Sequence, residues 1–199
     1  FLIFFFSRLL SINGILIYLF INTFIIFVFL LKMFFFFFLN DGFILLEGSL
    51  VFFFVNYMIL KWGFFCDVIT YSMFFVVVLI SSFVHFYSYI YMRYDPQLIR
   101  FFLLLSLFTF CMLFLVSSLN IIQLFFGWEG VGICSYLLVN FWFTRVQANK
   151  SAIKAMLMNR LGDISFLIFI SFFFFFFRTF DILMLNVNLT LYQFVYFTI

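Results

Sequence analysis

Gln123-Leu124-Phe125-Phe126-Gly127-Trp128-Glu129-Gly130-Val131-Gly132-Ile133-Cys134 sits inside a mostly apolar stretch running from Ile121 to Phe143. That stretch is long enough to cross a bilayer as a helix, which takes about 20 residues, and its middle carries a single carboxylate, Glu129. An ionised side chain at mid-membrane costs about 2.5–3.5 kcal/mol on insertion scales, so Glu129 marks a function or a fixed ion pair. The flanking Gly127, Gly130 and Gly132 allow a neighbouring helix or water to come close. A low-dielectric setting favours the protonated acid unless a cation pairs with it, which suits a group that takes up and releases a proton. No basic residue lies within a helical turn of Glu129, so any partner must come from another helix.

The rest of the chain has the same character. Of 199 residues, 69% are hydrophobic and only 9% charged, and the mean hydropathy is +1.35. A soluble domain carries about 25% charged residues, so a water-soluble fold is excluded. The unbroken runs Phe34–Phe38 and Phe172–Phe177 lack the alternation of a transmembrane β-barrel. The reading is an all-α integral membrane protein, a bundle of about five transmembrane helices. Helices are expected over 67–92, 100–119, 121–143 and 152–177. Residues 1–61 form a divergent hydrophobic region with one or two spans: one over Ser11–Leu39, and Phe43–Leu60 as a span or an interfacial segment. Residues 179–199 are a tail or the start of a further segment.

The basic loop Arg93–Arg100 and the segment with Arg145, Lys150 and Lys154 are separated by two helices and share one side, which the positive-inside bias places in the matrix or cytoplasm. Membrane lipid is an expected partner. Nucleic acid is not, because the net charge of +3 is spread along the chain with no basic run. Cys66, Cys111 and Cys134 are far apart in apolar stretches, so buried thiols are expected and no metal site. The Phe excess points to an AT-rich genome such as an organelle's. Asn149-Lys150-Ser151 and Asn188-Leu189-Thr190 match the glycosylation sequon, a weak pattern.

Further polar groups lie within the apolar segments. Arg160 and Asp163 at i,i+3 can neutralise each other, or Asp163 can belong to a polar chain leading toward Glu129. Lys154 either serves that path or snorkels to the interface. Ser81, His85 and Tyr89 follow i,i+4 spacing, which fits a proton relay or simple helix packing. Asp67 and Thr70 suit a helix N-terminus. One histidine and no phosphate-binding motif leave no catalytic set to assign.

Several motifs in order carry a family resemblance: Trp62-Gly63-Phe64-x-x-Asp67-x-x-Thr70, Val84-His85-x-Tyr87-Ser88-x-x-Tyr91-Met92, Asp95-Pro96, and Gln123 to Gly132. Ser135-Tyr136-Leu137-Leu138, Asn140–Arg145, Gln147–Lys150 and Asn159-Arg160-Leu161-Gly162-Asp163 continue it. Over about residues 62–165 the chain resembles the chain 5 family of mitochondrial NADH:ubiquinone oxidoreductase, respiratory complex I, and is similar to its N-terminal part only. The resemblance implies an antiporter-like subunit of the proton-pumping membrane arm, in the mitochondrial inner membrane. It implies a half-channel in which Glu129 works with a lysine on a later helix; beside Glu129, the polar residues read above, Asp163, Arg160, Lys154 and His85, are the further candidate proton-translocation residues. That lysine is absent here, so the expected partner is the remaining part of a split subunit carrying intramembrane lysines, with neighbouring antiporter-like and accessory subunits; a truncated sequence is the alternative. No cofactor is expected on this chain; NADH, FMN, iron–sulfur clusters and ubiquinone belong elsewhere in the complex. Two other readings stand beside this one: a structural scaffold without a working channel, and a component of a multi-subunit sodium/proton antiporter.

Overall fold

The computed structural model describes residues 12–40, 44–55, 58–177 and 180–182. The Asn188 sequon and most of the tail over 179–199 lie outside these residues. Among the described residues five helices run in the order α1 (Ile12–Asn40), α2 (Val68–Tyr91), α3 (Leu98–Val116), α4 (Ile121–Val139) and α5 (Val146–Phe177). Between α1 and α2 stand two strands, β1 (Ile44–Val55) and β2 (Met58–Cys66). Helices α2 to α5 are each long and apolar enough to cross a membrane, which makes this a multi-pass membrane protein.

The strands correct one expectation. Phe43–Leu60 was expected as a span or interfacial segment, whereas Ile44–Cys66 forms an antiparallel pair, from Ile44 opposite Cys66 to Val55 opposite Met58. Val, Ile and Phe favour strands as readily as apolar helices, and pairing satisfies the backbone that Glu47-Gly48 would weaken in a helix. The pairing shifts register between Glu47 and Val51 and again before Phe53.

Asp67 then starts α2 with a capping box. Its backbone N–H donates to Thr70 Oγ1 at 2.7 Å, and its carboxylate accepts from the Val68 N–H at 2.6 Å. α1 packs along α2 through a cluster of Leu30, Cys66, Tyr71 and Val78. Burial pushes the Cys66 thiol up from its ordinary range, and a hydrogen bond with Tyr71 opposes this in part. Cys134 is likewise a buried free thiol, and Cys111 is partly covered.

The two ends of the bundle close differently. On one side Met92, Leu98, Phe102 and Phe141 form a buried cluster, and the Arg100 guanidinium lies 5.4 Å from the centre of the Phe143 ring. These contacts bring the two basic connections together. On the other side the short link Ser117–Asn120 is held by backbone bonds: the Phe65 N–H donates to Ser117 O at 2.9 Å, and the Ile182 N–H to Leu119 O at 3.2 Å. Trp62 packs there against Phe114 with ring centres 5.3 Å apart.

Helix α5 begins at Val146, six residues before the expected 152. Its 32 residues reach about 48 Å, more than the ~30 Å of hydrocarbon, so the polar start holding Lys150 and Lys154 extends beyond the apolar span.

Candidate proton site between two membrane helices

Glycines decide how closely the helices meet. A Cβ on Gly127 would lie 2.8 Å from the Cα of Leu115, so α3 is seated directly on the backbone of α4. A Cβ on Gly130 would lie 2.9 Å from Cys111 Sγ. Gly132 faces the other neighbour, where an added Cβ would be 3.6 Å from Asn159 Nδ2 of α5. The helix carrying Glu129 is thus wedged between α3 and α5.

Glu129 is the ninth residue of the 19 in α4, and Arg160 and Asp163 lie near the middle of α5. Arg160 Nη1 is 3.3 Å from Glu129 Oε1 and 3.8 Å from Asp163 Oδ2. One guanidinium therefore serves two carboxylates, and it is closer to the acid on the other helix than to its own i,i+3 neighbour. Asp163 is 7% exposed, and its Oδ1 accepts a hydrogen bond from the Trp128 indole Nε1 at 3.1 Å. The side chains of Glu129 and Arg160 are 32% and 56% exposed, so the ion pair opens onto the outer surface of this bundle.

The other two sequence-derived site residues lie apart from this group. Lys154 is exposed on α5, and nine residues at about 100° each place it on the opposite side of the helix from Asp163. His85 is buried on α2, with Nδ1 2.6 Å from Ser81 O and its ring against Phe102 of α3 at 5.8 Å. A carbonyl only accepts, so Nδ1 carries the proton and Nε2 is left as an acceptor, buried and without a hydrogen-bond partner. Ser81 and Ser88 turn their hydroxyls back to Val78 O and His85 O, so neither donates to the ring.

Sequence reasoning missed two polar contacts. Trp128 carries no sequence signal beyond its place beside Glu129, and only the fold shows its N–H reaching α5. Gln123, 2% exposed, accepts from the Gly63 N–H at 3.4 Å and ties α4 to the end of β2. A polar residue placed within an apolar helix is the signal that could have found it.

Apolar spans around an ion-paired carboxylate at mid-helix define a multi-pass helical membrane segment. Comparison with known families agrees: residues 118–197 match a model described as NADH:quinone oxidoreductase/Mrp antiporter, TM, and residues 52–102 one described as NADH-Ubiquinone oxidoreductase (complex I), chain 5 N-terminus. NADH-ubiquinone oxidoreductase chain 5 of Acanthamoeba castellanii is 54% identical over 129 residues, 65% of this chain and 19% of that protein. The protein of the same name from Marchantia polymorpha is 63% identical over 102 residues, 51% of this chain and 15% of its own length, and that from Arabidopsis thaliana 60% over 103 residues, 52% and 15%. The chain is a relative of the N-terminal part of NADH-ubiquinone oxidoreductase chain 5, and it spans less than a fifth of the length of these curated relatives.

Proposed function

We propose that the chain contributes a half-channel for proton translocation to the membrane arm of NADH:ubiquinone oxidoreductase in the mitochondrial inner membrane, with Glu129 as the group that binds the proton. The observation that carries this reading is the Arg160 guanidinium standing between Glu129 and Asp163 at the middle of two apolar helices. Two carboxylates and one guanidinium sum to one negative charge, so the group can take up one proton and become neutral. A cation that approaches Glu129 would drive the proton off, and its withdrawal would let the proton return.

The partial exposure of Glu129 and Arg160 supports further protein covering this face, because lipid is a poor neighbour for either charge. In this reading the partners are the remaining antiporter-like helices, which carry intramembrane lysines, and the neighbouring subunits of the arm. NADH, FMN, iron–sulfur clusters and ubiquinone sit on other subunits, and this chain carries no redox chemistry of its own. His85 and Lys154 act as relay and entrance groups at a distance from the triad.

Glu129→Gln tests the proposal. The assembled complex should be present at its normal level while proton pumping and coupled quinone reduction fall. Full pumping at normal protein levels would sink it.

A further inference from the structure

Cys111 of α3 and Cys134 of α4 meet away from the charged face. Both are free thiols, and the Cys134 thiol is hydrogen-bonded with that of Cys111. Gly130, one turn before Cys134, makes room for the pair: an added Cβ there would lie 2.9 Å from Cys111 Sγ and 3.5 Å from its Cβ. Leu115 meets Gly127 and Cys111 meets Gly130, so α3 and α4 run antiparallel. Helical side chains lean toward the N-terminus of their own helix, and the two thiols therefore lean toward one another. Cys134 is 3% exposed, whereas Cys111 is partly exposed. Cys66 stands apart, bonded to Tyr71 in the cluster beside α1.

We infer that Cys111 and Cys134 form a dithiol site that binds a trivalent arsenical across α3 and α4. Among the described residues no three His, Cys, Asp or Glu side chains gather, so the pair offers two sulfurs without a third such ligand. Two sulfurs fall short of the four ligands of a structural zinc site, and sulfur selects a soft centre. An organic arsenous acid, with two hydroxyls on arsenic, reaches the partly exposed Cys111 first. An As–S bond forms, an As–O bond breaks, and the thiol proton leaves with the hydroxide as water. Cys134 repeats the exchange and closes the bridge, releasing a second water; arsenic stays trivalent and nothing is oxidised. The bridge has no net charge, which an apolar span accepts where it would penalise an ion. Because the second bond forms within the molecule, attachment through both sulfurs exceeds attachment through one by about 10²–10⁴-fold.

The test treats the intact complex in its native membrane with phenylarsine oxide, which water converts to such an acid. The membranes are washed with mercaptoethanol, a monothiol, and this chain is then analysed by mass spectrometry. Wild type should keep one phenylarsenic group per chain, with Cys111 and Cys134 protected from maleimide after unfolding, and should lose it to dimercaptopropanol, a dithiol. Cys111→Ser and Cys134→Ser should each bind about 100-fold more weakly or worse and lose the group in the monothiol wash, whereas Cys66→Ser should keep it. No retained group in wild type, retention in Cys111→Ser or Cys134→Ser, or loss in Cys66→Ser would overturn the proposal. If a serine variant does not assemble, Cys134→Ala brings no new polar group into the apolar helix and is read the same way: loss of the group supports the site, and retention overturns it.

Discussion

Helix α4 meets α3 and α5 in opposite ways. Toward α3 it presents Gly127 and Gly130, and the two backbones approach until an added methyl group would collide. Toward α5 it presents Trp128, Glu129 and Gly132, and the contact is made by an indole, two carboxylates and a guanidinium. The first face gains from close van der Waals packing, which drives helix association where lipid tails are as apolar as the helices. The second holds charges that lipid would not tolerate, and its value lies in what those charges can do. A rigid seat on one side keeps the charged side in register.

The largest effect is expected from removing the shared cation. Arg160→Met strands Glu129 and Asp163 without their guanidinium, and an unpaired acid at mid-span costs about 2.5–3.5 kcal/mol on insertion scales. Pumping should be lost, with less assembled complex on a native gel. Arg160→Met/Asp163→Asn should restore assembly in part, because one stranded acid is gone, but not pumping. Normal pumping in Arg160→Met would show that the charged face works without its cation, and the contrast between the two faces would fail.

The packed face should respond the other way. Gly127→Val places new carbon against the Leu115 backbone, which cannot swing aside as a side chain can. Overpacking of this kind costs about 1–3 kcal/mol, so thermal inactivation of the solubilised complex should come at lower temperature. The pH dependence of whatever pumping survives should be unchanged. A displaced pH profile would mean that the seat against α3 tunes the charges directly.

Much of this division could be read from the sequence, and the reasons for the failures differ. Helices α2, α3 and α4 were visible because polar punctuation brackets apolar runs of bilayer length. Glu129 stood out because charge at mid-span is costly, and the absence of a nearby base already required a partner from another helix. The i,i+3 spacing of Arg160 and Asp163 concealed that partner, since it looks complete in itself. Trp128 stayed hidden because an aromatic ring is unremarkable in an apolar helix, and only the direction of one N–H distinguishes it. The strands over 44–66 were illegible because a Phe-rich run has neither a clear period of two nor one of 3.6.

Gly132→Ala is the mildest probe, and it bears on whether the open side of α4 must stay open. Its new methyl group would sit 3.6 Å from Asn159 Nδ2, an ordinary contact, against 2.8 Å to backbone at Gly127. Replacing a mid-helix glycine with alanine stabilises a helix by about 0.5–1 kcal/mol where nothing clashes. The variant should therefore assemble normally, withstand heat as well as the wild type or slightly better, and pump at the normal rate. Reduced pumping with unchanged thermal stability would instead mean that the space between Gly132 and Asn159 is used by water or protons. In that case the charged face depends on the missing methyl as much as on its ion pair.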